Sequence, residues 1–316
     1  MSRLQWIISV LLAPILRERS IPLVRPTRIE WDPSLLPRTI QIKGNAIFYV
    51  VKGEGDPLLL IHGYGAGFWV WEKQIEILSR SHKVYALDLL GHGYSDRPKI
   101  EYRPETYICF LKDFMDGAGV ETATLIGNSM GGGIAWAAAA LFPERVKKLI
   151  LIDCVPPDVL NQVRNESFRA LAVIKNIPFL PYLVISIRDK SSIKRVLKEC
   201  VSDMARITPG VVNRQYALSR IKGTSWVLTS TLKNARDTSR LKAYLSRIDH
   251  PTLLIWGERD LIFPPSVGKI LHRAIKGSKL IVVEKSGHIP MWETPEEVNR
   301  AILSFLEEKW NDGVVE

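Results

Sequence analysis

The sequence predicts an α/β protein with an open, mostly parallel sheet of eight strands. Short apolar or β-branched segments alternate with helical segments, and from Leu58 onward most of the strand segments are continuously apolar. Such segments are typical of parallel strands that are covered by helices on both faces. The length of 316 residues and the 24% of charged residues fit an ordinary globular protein, and they argue against disorder, collagen or a protein with many membrane spans.

The strands and helices follow from this pattern in chain order. The strands are predicted at 39–43, 46–51, 58–61, 83–87, 122–126, 148–152, 252–255 and 280–283. Helices are predicted at 105–117, 130–140 and 295–310 among others. The last of these has Thr294 as its N-cap and a proline at its first position, a common way for a helix to begin.

About 90 residues separate the sixth strand from the seventh, which is too long for one strand–helix connection. We therefore expect an α/β core at 38–156 and 251–316 and an inserted helical subdomain at 157–250. Within the insertion, residues 189–207 carry apolar residues three and four positions apart, which predicts an amphipathic helix. Lys190, Lys194 and Lys198 lie outside that apolar stripe.

The net charge of +10 alone would suggest an anionic partner, such as nucleic acid or an acidic membrane surface. Residues 157–250 contain 17 Lys and Arg but only 7 Asp and Glu, so the insertion carries the whole excess. This distribution, without a recognised nucleic-acid-binding module, argues against nucleic acid as a partner. It favours an insertion that faces an anionic membrane or guides an acidic substrate, with a solvated basic face as the simpler alternative.

The segment 1–37 contains an apolar stretch at 4–16 that is too short to span a bilayer and lacks a cleavable signal's small residues. With the following Arg17, Arg19, Arg25 and Arg28 it could lie in a membrane interface, pack on the protein's own surface or cover a pocket. Three cysteines cannot all pair within one chain and suggest free thiols. We expect a cytoplasmic protein with peripheral membrane contact through residues 4–16 and the basic insertion.

The sharpest local signal is Gly127-Asn128-Ser129-Met130-Gly131, between a predicted strand and a helix of small residues. G-x-S-x-G in this context is a nucleophile elbow, a tight turn that exposes a serine in a strained backbone conformation. A phosphate-binding turn is the alternative, but its glycine pattern and its Lys-Ser/Thr pair are missing. The sequence therefore predicts Ser129 as a nucleophile.

A serine nucleophile needs a base, and the base needs an orienting carboxylate. His288 follows the last strand at the carboxyl edge of the sheet, where ligands of open α/β sheets bind, and is the predicted base. Asp260 follows the seventh strand and gives the order Ser, Asp, His that is expected with this elbow. Asp153, at the end of the sixth strand, is the main competitor for this role, and Glu258 is a further one.

An oxyanion would be stabilised by backbone N–H groups, here those of Met130 after the nucleophile and Tyr64 in the glycine-rich loop after the third strand. Phe68 and Trp69 beside that loop are predicted to wall an apolar pocket, with ordinary core packing as the alternative. This chemistry implies no metal and no redox cofactor, because serine, histidine and backbone donors suffice.

Five ordered motifs make the sequence similar to the α/β-hydrolase superfamily over 38–156 and 248–310. In such proteins the insertion after the sixth strand is a helical cap over the site, and the resemblance implies this role for 157–250. The motifs are His62-Gly63, the run from Asp88 to Asp96, the elbow at Ser129, Gly257-Glu258-Arg259-Asp260 and Gly287-His288.

Within the superfamily, Ser129 argues against haloalkane dehalogenases and epoxide hydrolases, whose nucleophile at this position is Asp. The elbow and the Trp292-Glu293 pair after His288 resemble those of meta-cleavage-product C–C hydrolases, and this resemblance implies a substrate contact for Trp292. The loop at Tyr64 lacks the Ser-Gly-Pro-Gly run usual in these C–C enzymes. Simple carboxylesterases, lipases and chlorophyll-dephytylating hydrolases share close variants.

The expected function is hydrolysis of a lipophilic carboxylic ester through an acyl-serine intermediate. The triad, the apolar stretch at 177–187 in the insertion and the apolar N-terminal stretch favour it. A C–C bond hydrolase, an acyltransferase and a small-molecule receptor are the alternatives.

Overall fold

The computed structural model describes residues 21–29, 32–157, 162–163, 169–170, 173–174, 176–177, 179–235 and 241–307. The predicted apolar segment 4–16 and the end of the last predicted helix, beyond residue 307, lie outside the described residues. In the described part of the chain, no helix combines the length and apolar character needed to cross a membrane.

One sheet of eight strands organises these residues. The first two strands along the chain pair antiparallel, as do the second and the fourth, and all other neighbouring strands pair in parallel. The predicted eight-stranded, mostly parallel sheet is confirmed. In the sheet order β1-β2-β4-β3-β5-β6-β7-β8, the strands numbered along the chain are Leu36–Ile42 (β1), Asn45–Lys52 (β2), Pro57–Ile61 (β3), Lys83–Leu87 (β4), Ala123–Asn128 (β5), Val146–Ile152 (β6), Thr252–Gly257 (β7) and Lys279–Val283 (β8).

Helices cover both faces of this sheet. In the described residues they are Glu72–Leu78 (α1), Pro104–Gly117 (α2), Met130–Leu141 (α3), Leu180–Ser186 (α4), Lys190–Cys200 (α5), Pro209–Arg220 (α6), Thr224–Asn234 (α7), Lys242–Leu245 (α8), Pro265–Ala274 (α9), Pro290–Glu293 (α10) and Pro295–Glu307 (α11).

The continuous apolar character of the central strands reflects two separate cores. Leu59 and Leu125 belong to one apolar layer, whereas Leu60 and Ile126 belong to the layer on the other side of the sheet. Because neighbouring residues of a strand point to opposite faces, a strand covered on both sides is apolar at most of its positions.

The helices α4 to α8 lie between β6 and β7, so a helical cap after the sixth strand is confirmed, and its limits at 157 and 250 stay a prediction. The helix predicted at 189–207 is shorter: it begins after its N-cap Asp189 and ends at Cys200. After Cys200 the backbone forms hydrogen bonds with core residues instead of continuing the helix. Cys200 O accepts from His288 N (2.9 Å), and the N–H groups of Ser202 and Asp203 donate to Glu293.

The described end of the N-terminal segment packs on the protein itself. Ile21 forms a bridge with Ile221 of the cap, and its N–H donates to Arg220 O (2.9 Å). Arg25, expected to face lipid head groups, instead pairs with Asp96 at 2.5 Å. For these residues the structure matches the alternative of packing on the protein's own surface.

The turn between β5 and α3 leaves no room for side chains on its glycines. A Cβ on Gly131 would lie 2.1 Å from the backbone oxygen of Ile61, and one on Gly127 would lie 2.4 Å from the backbone oxygen of Gly131. Contacts this short with backbone atoms cannot be relieved by a rotamer change. Helix α3 therefore packs directly against β3 and β5, and this close approach fixes the turn between them.

We expect Gly131→Ala to lower the free energy of unfolding by about 3 kcal/mol, because its Cβ must displace the backbone of β3 or α3. Gly210→Ala is the matched control, since its Cβ would meet only Thr208 Oγ1 at 3.7 Å in the first turn of α6. It should be neutral or stabilising by up to about 1 kcal/mol. Urea denaturation measures both, and similar effects of the two changes would contradict the packing argument.

Candidate active site

Ser129 occupies the turn in a conformation that L-residues rarely adopt, with φ 52° and ψ −119°. Its N–H donates to Ile152 O (3.0 Å), and its own carbonyl accepts from Gly133 N and Val155 N (both 3.0 Å). A Cβ on Gly63 would lie 3.1 Å from Ser129 Cβ, so the loop after β3 passes closely beside the serine side chain. Neighbouring backbone on three sides thus holds the strained conformation.

His288 and Asp260 form a buried pair, each 4% exposed. His288 Nδ1 lies 2.8 Å from Asp260 Oδ2, and Asp260 Oδ1 accepts from the N–H groups of Ile262 (2.7 Å) and Phe263 (3.1 Å). A carboxylate in this position accepts a hydrogen bond from Nδ1, and the tautomer with its proton on Nδ1 leaves Nε2 available as a base. A pair with this geometry can supply an oriented general base.

Asn128 connects the elbow to this pair. Its side-chain nitrogen donates to Ile152 O (3.2 Å) and to His288 O (3.0 Å), so the residue before the nucleophile holds the backbone of the histidine. Ser129 and His288 both line one cavity. The arrangement can activate a serine hydroxyl toward a carbonyl carbon.

The two competing carboxylates have other contacts. Asp153 Oδ1 accepts from Gly257 N (2.9 Å), and burial together with the nearby Asp260 carboxylate raises the pKa of Asp153 well above its usual range. These surroundings favour the protonated form of Asp153 over the protonated form of Asp260. Glu258 is exposed and accepts from Lys285 N (3.0 Å). Of the three carboxylates, the structure brings Asp260 onto the ring nitrogen of His288.

Among the described residues, one cluster brings together three side chains that could bind a metal ion. It consists of Asp153, Asp260 and His288, whose ligand atoms lie within 4.8 Å of one another. Their donor chemistry suits a hydrogen-bonded cluster better than a cation. Asp260 already contacts Nδ1 of His288, and burial beside the Asp260 carboxylate raises the pKa of Asp153 and so favours its protonated form, whereas metal ligands must be deprotonated.

The cavity has a volume of about 290 Å³, and its lining is mostly apolar. Core and cap both contribute to it. Of the predicted site residues, it is lined by Ser129, His288, Tyr64, Met130 and Trp69.

Phe68 and Trp292, predicted to contact substrate, do not line this cavity. The Phe68 ring packs in the core 5.4 Å from the Phe48 ring, and its N–H donates to Asp88 Oδ1 (2.6 Å). Trp292 packs edge-on against Trp69 with ring centroids 6.4 Å apart. Trp292 therefore supports a wall of the cavity from behind, which sequence adjacency to His288 does not reveal.

Cap residues hold the loop that carries the predicted oxyanion donor. The Tyr64 hydroxyl donates to Leu228 O (2.8 Å) in α7, and the Gln215 side chain in α6 donates to Gly65 O (2.6 Å). Ala66 N donates to Gly63 O (3.2 Å) and closes the turn. The position of this loop thus depends on the cap as well as on β3.

His62 at the base of the same loop has a structural role. Its Nε2 accepts from Leu89 N (3.0 Å), and burial lowers the pKa of His62 to about 4. A neutral histidine that is committed to a backbone hydrogen bond cannot serve as the base, which agrees with the choice of His288.

Sequence reasoning missed Glu293, which is 2% exposed and joins the cap to the histidine loop. One carboxylate oxygen accepts from Ser202 N (2.7 Å) and Asp203 N, and the other accepts from Gly287 N (2.7 Å). Asn128 could have been noticed inside the elbow motif. The contacts of Gln215 with Gly65 and of Glu293 with Ser202 and Asp203 have no local signal, because these partners are distant in the chain.

Comparison with known proteins agrees with this geometry. A protein-family model described as alpha/beta hydrolase fold matches residues 56–295. Epoxide hydrolase 4 of Mus musculus is 30% identical over 296 residues, which cover 88% of this chain and 82% of that protein. The 2-hydroxy-6-oxo-6-(2'-aminophenyl)hexa-2,4-dienoic acid hydrolase of Metapseudomonas resinovorans is 27% identical and covers 87% of this chain and 92% of its own.

Among solved structures, a bacterial membrane phospholipase A superposes with a TM-score of 0.73 at 27% identity, covering 96% of this chain and 93% of that protein. Its match extends over core and cap together. The family model spans most of the chain, and the elbow, the Asp260–His288 pair and the cap lie in one architecture. The chain belongs to the alpha/beta hydrolase fold family.

Proposed function

We propose that the protein is a serine hydrolase that cleaves a carboxylic ester of a lipophilic substrate through an acyl-serine intermediate. The observation that carries this proposal is the opening of Ser129 and His288 into one mostly apolar cavity, with Asp260 on the far nitrogen of the histidine. An apolar cavity favours a lipophilic acyl or alcohol group.

In the proposed reaction His288 Nε2 removes the hydroxyl proton as Ser129 Oγ attacks the ester carbonyl. The N–H groups of Met130 and Tyr64 stabilise the oxyanion, and collapse of the intermediate expels the alcohol, which takes the proton from His288. Water activated by the same histidine then hydrolyses the acyl-serine. The steps need serine, histidine and backbone donors alone.

An epoxide is a poor substrate for this nucleophile, although the mouse relative is named an epoxide hydrolase. Attack by Ser129 on an epoxide carbon would form an alkyl ether, which water does not cleave under mild conditions. An aspartate would form an ester, which a histidine-activated water can hydrolyse. The hydroxyl at this position therefore favours acyl chemistry.

A C–C bond hydrolase is the second candidate, favoured by the name of the M. resinovorans relative and by the shared serine chemistry. Its substrates would be vinylogous diketones, which also undergo carbonyl attack. Turnover of a ring-cleavage dienoate with negligible esterase activity would select it over the ester hydrolase.

Ser129→Ala should lower kcat on short and medium 4-nitrophenyl esters by roughly 10⁴-fold or more, because no other group can form the acyl intermediate. Release of 4-nitrophenolate measures it. Ser246→Ala, an exposed serine in the cap region, is the control and should retain full activity. Retained activity in Ser129→Ala would overturn the assignment.

Amide substitution can distinguish the roles of the two buried aspartates, Asp260 and Asp153. Asp260→Asn should lower kcat by about 10³–10⁴-fold, because the amide no longer holds the Nδ1 proton of His288. Asp153→Asn should retain most of the activity, since an amide resembles the protonated carboxyl and can still accept from Gly257 N. Equal losses in the two variants would contradict this division of roles.

We further propose that the basic cap contacts anionic membranes, as one explanation for its charge. Lys190, Lys194 and Lys198 are exposed on α5, and the similar phospholipase is named a membrane enzyme. Phospholipid head groups would attract such a face through electrostatics that fade within a Debye length.

Charge reversal of these three lysines to Glu should therefore weaken binding to phosphatidylserine-containing vesicles, and raising salt from about 50 to 300 mM should do the same in the wild type. Cosedimentation measures the bound fraction. Reversal of the exposed core residues Lys73, Lys269 and Lys276 is the charge-matched control. Binding that is insensitive to salt, or equally weakened by both triple variants, would refute a specific role of the cap.

A further inference from the structure

Arg188 is a cation in the wall of the candidate active-site cavity. It follows α4, and its Nε donates to Ile185 O (3.1 Å). Its Nη2 is fully buried and has no hydrogen-bond partner among the described residues. A buried guanidinium nitrogen without an acceptor is costly, and a bound hydrogen-bond acceptor would remove this cost.

Arg97, the other arginine that lines the cavity, provides a contrast. Its Nε donates to Thr224 Oγ1 (2.9 Å), its Nη1 to Ser95 O (2.7 Å) and its Nη2 to Gly93 O (2.6 Å). The protein itself therefore satisfies all three nitrogens of Arg97, and this residue ties the cap to the core. In the described residues Arg188 has one such hydrogen bond, from Nε to Ile185 O, and its fully buried Nη2 has none.

No protein carboxylate neutralises Arg188 in the described part of the chain. The described residues that line the cavity include no Asp and no Glu. Burial lowers the pKa of Arg188, and the neighbouring Tyr64 hydroxyl opposes this shift without cancelling it. An arginine keeps its proton in proteins even so, and this positive charge in an apolar cavity has no carboxylate partner among the described residues.

We propose that Arg188 binds an anionic oxygen group of the substrate, a carboxylate or a phosphate, and so selects amphiphilic esters with a charged end. This inference rests on the proposed ester hydrolysis at Ser129. Guanidinium groups bind both kinds of oxyanion through paired N–H donors, and such charge-assisted bonds are among the strongest in proteins.

The rest of the cavity suits the remainder of such a substrate. Apolar residues from both parts of the molecule line it, among them Ile134 of α3 and Ile193, Val196 and Leu197 of α5. An alkyl chain can occupy this apolar space while one end meets Arg188 and the ester meets Ser129. The excess positive charge of residues 157–250 would draw anionic substrates toward the cap.

The test compares two series of 4-nitrophenyl esters with equal chain lengths, one ending in a methyl group and one in a carboxylate. The wild type should show kcat/KM at least about tenfold higher for the carboxylate series at the best length, and Arg188→Met should abolish or reverse that preference. Arg188→Lys should restore part of it. Arg195→Met, which removes an exposed cap cation, should leave the preference unchanged.

These esters also separate this inference from the proposed function. Hydrolysis of methyl-ended esters that disappears in Ser129→Ala supports the function whatever Arg188 does. If that hydrolysis is present and Arg188→Met does not change the ratio between the two series, the anion site is refuted. If no ester is hydrolysed, calorimetric binding of octanoate, octyl phosphate and 1-octanol tests the site without catalysis.

Binding of octanoate or octyl phosphate that exceeds that of 1-octanol and is lost in Arg188→Met supports the site, and the tighter of the two anions identifies the group it takes. Equal binding of all three would refute it. Thermal unfolding tests whether Arg188 instead has a purely structural role, since such a role would lower the Tm of Arg188→Met. Arg97→Met should lower Tm, because three backbone and side-chain acceptors lose their donor, whereas Arg188→Met should keep or raise Tm.

Discussion

The close contact of α3 with β3 and β5 is the constraint on which the candidate site depends. Gly127 and Gly131 allow backbone to meet backbone where any Cβ would clash, and the turn between them holds Ser129 at φ 52°. A serine on a relaxed turn would place its hydroxyl elsewhere. The strain at one residue is offset by packing along the helix and two strands, an arrangement typical of functional sites.

The cap contributes residues to the wall of the site and also holds core loops of the site in position. Hydrogen bonds from Gln215 and to Leu228 hold the loop that carries Tyr64, while Cys200 and Glu293 connect the cap to the backbone around His288. The positions of the predicted oxyanion donor and of the base therefore depend on contacts that cross from cap to core. Changes in the cap should alter catalysis as well as substrate choice.

The strands, the elbow and the order Ser129, Asp260, His288 could be predicted because each has a local signature: apolar runs, glycine spacing and position after a strand. Contacts between segments that are distant in the chain could not be predicted, because they have no local signature. The early end of α5 at Cys200 follows from bonds to His288 and Glu293, and the roles of Phe68 and Trp292 follow from packing that sequence adjacency does not show. The buried Nη2 of Arg188, which has no hydrogen-bond partner among the described residues, likewise becomes visible only when its surroundings are known.

The central claim is that Ser129 is a nucleophile activated by His288 and oriented for acyl transfer. Labelling with a fluorophosphonate, which reacts with activated serines, tests this claim most directly, and peptide mass spectrometry locates the adduct. The account predicts one adduct, on Ser129, that is lost in His288→Ala while the fold is retained. An unlabelled wild-type protein, or an adduct on another residue, would contradict it.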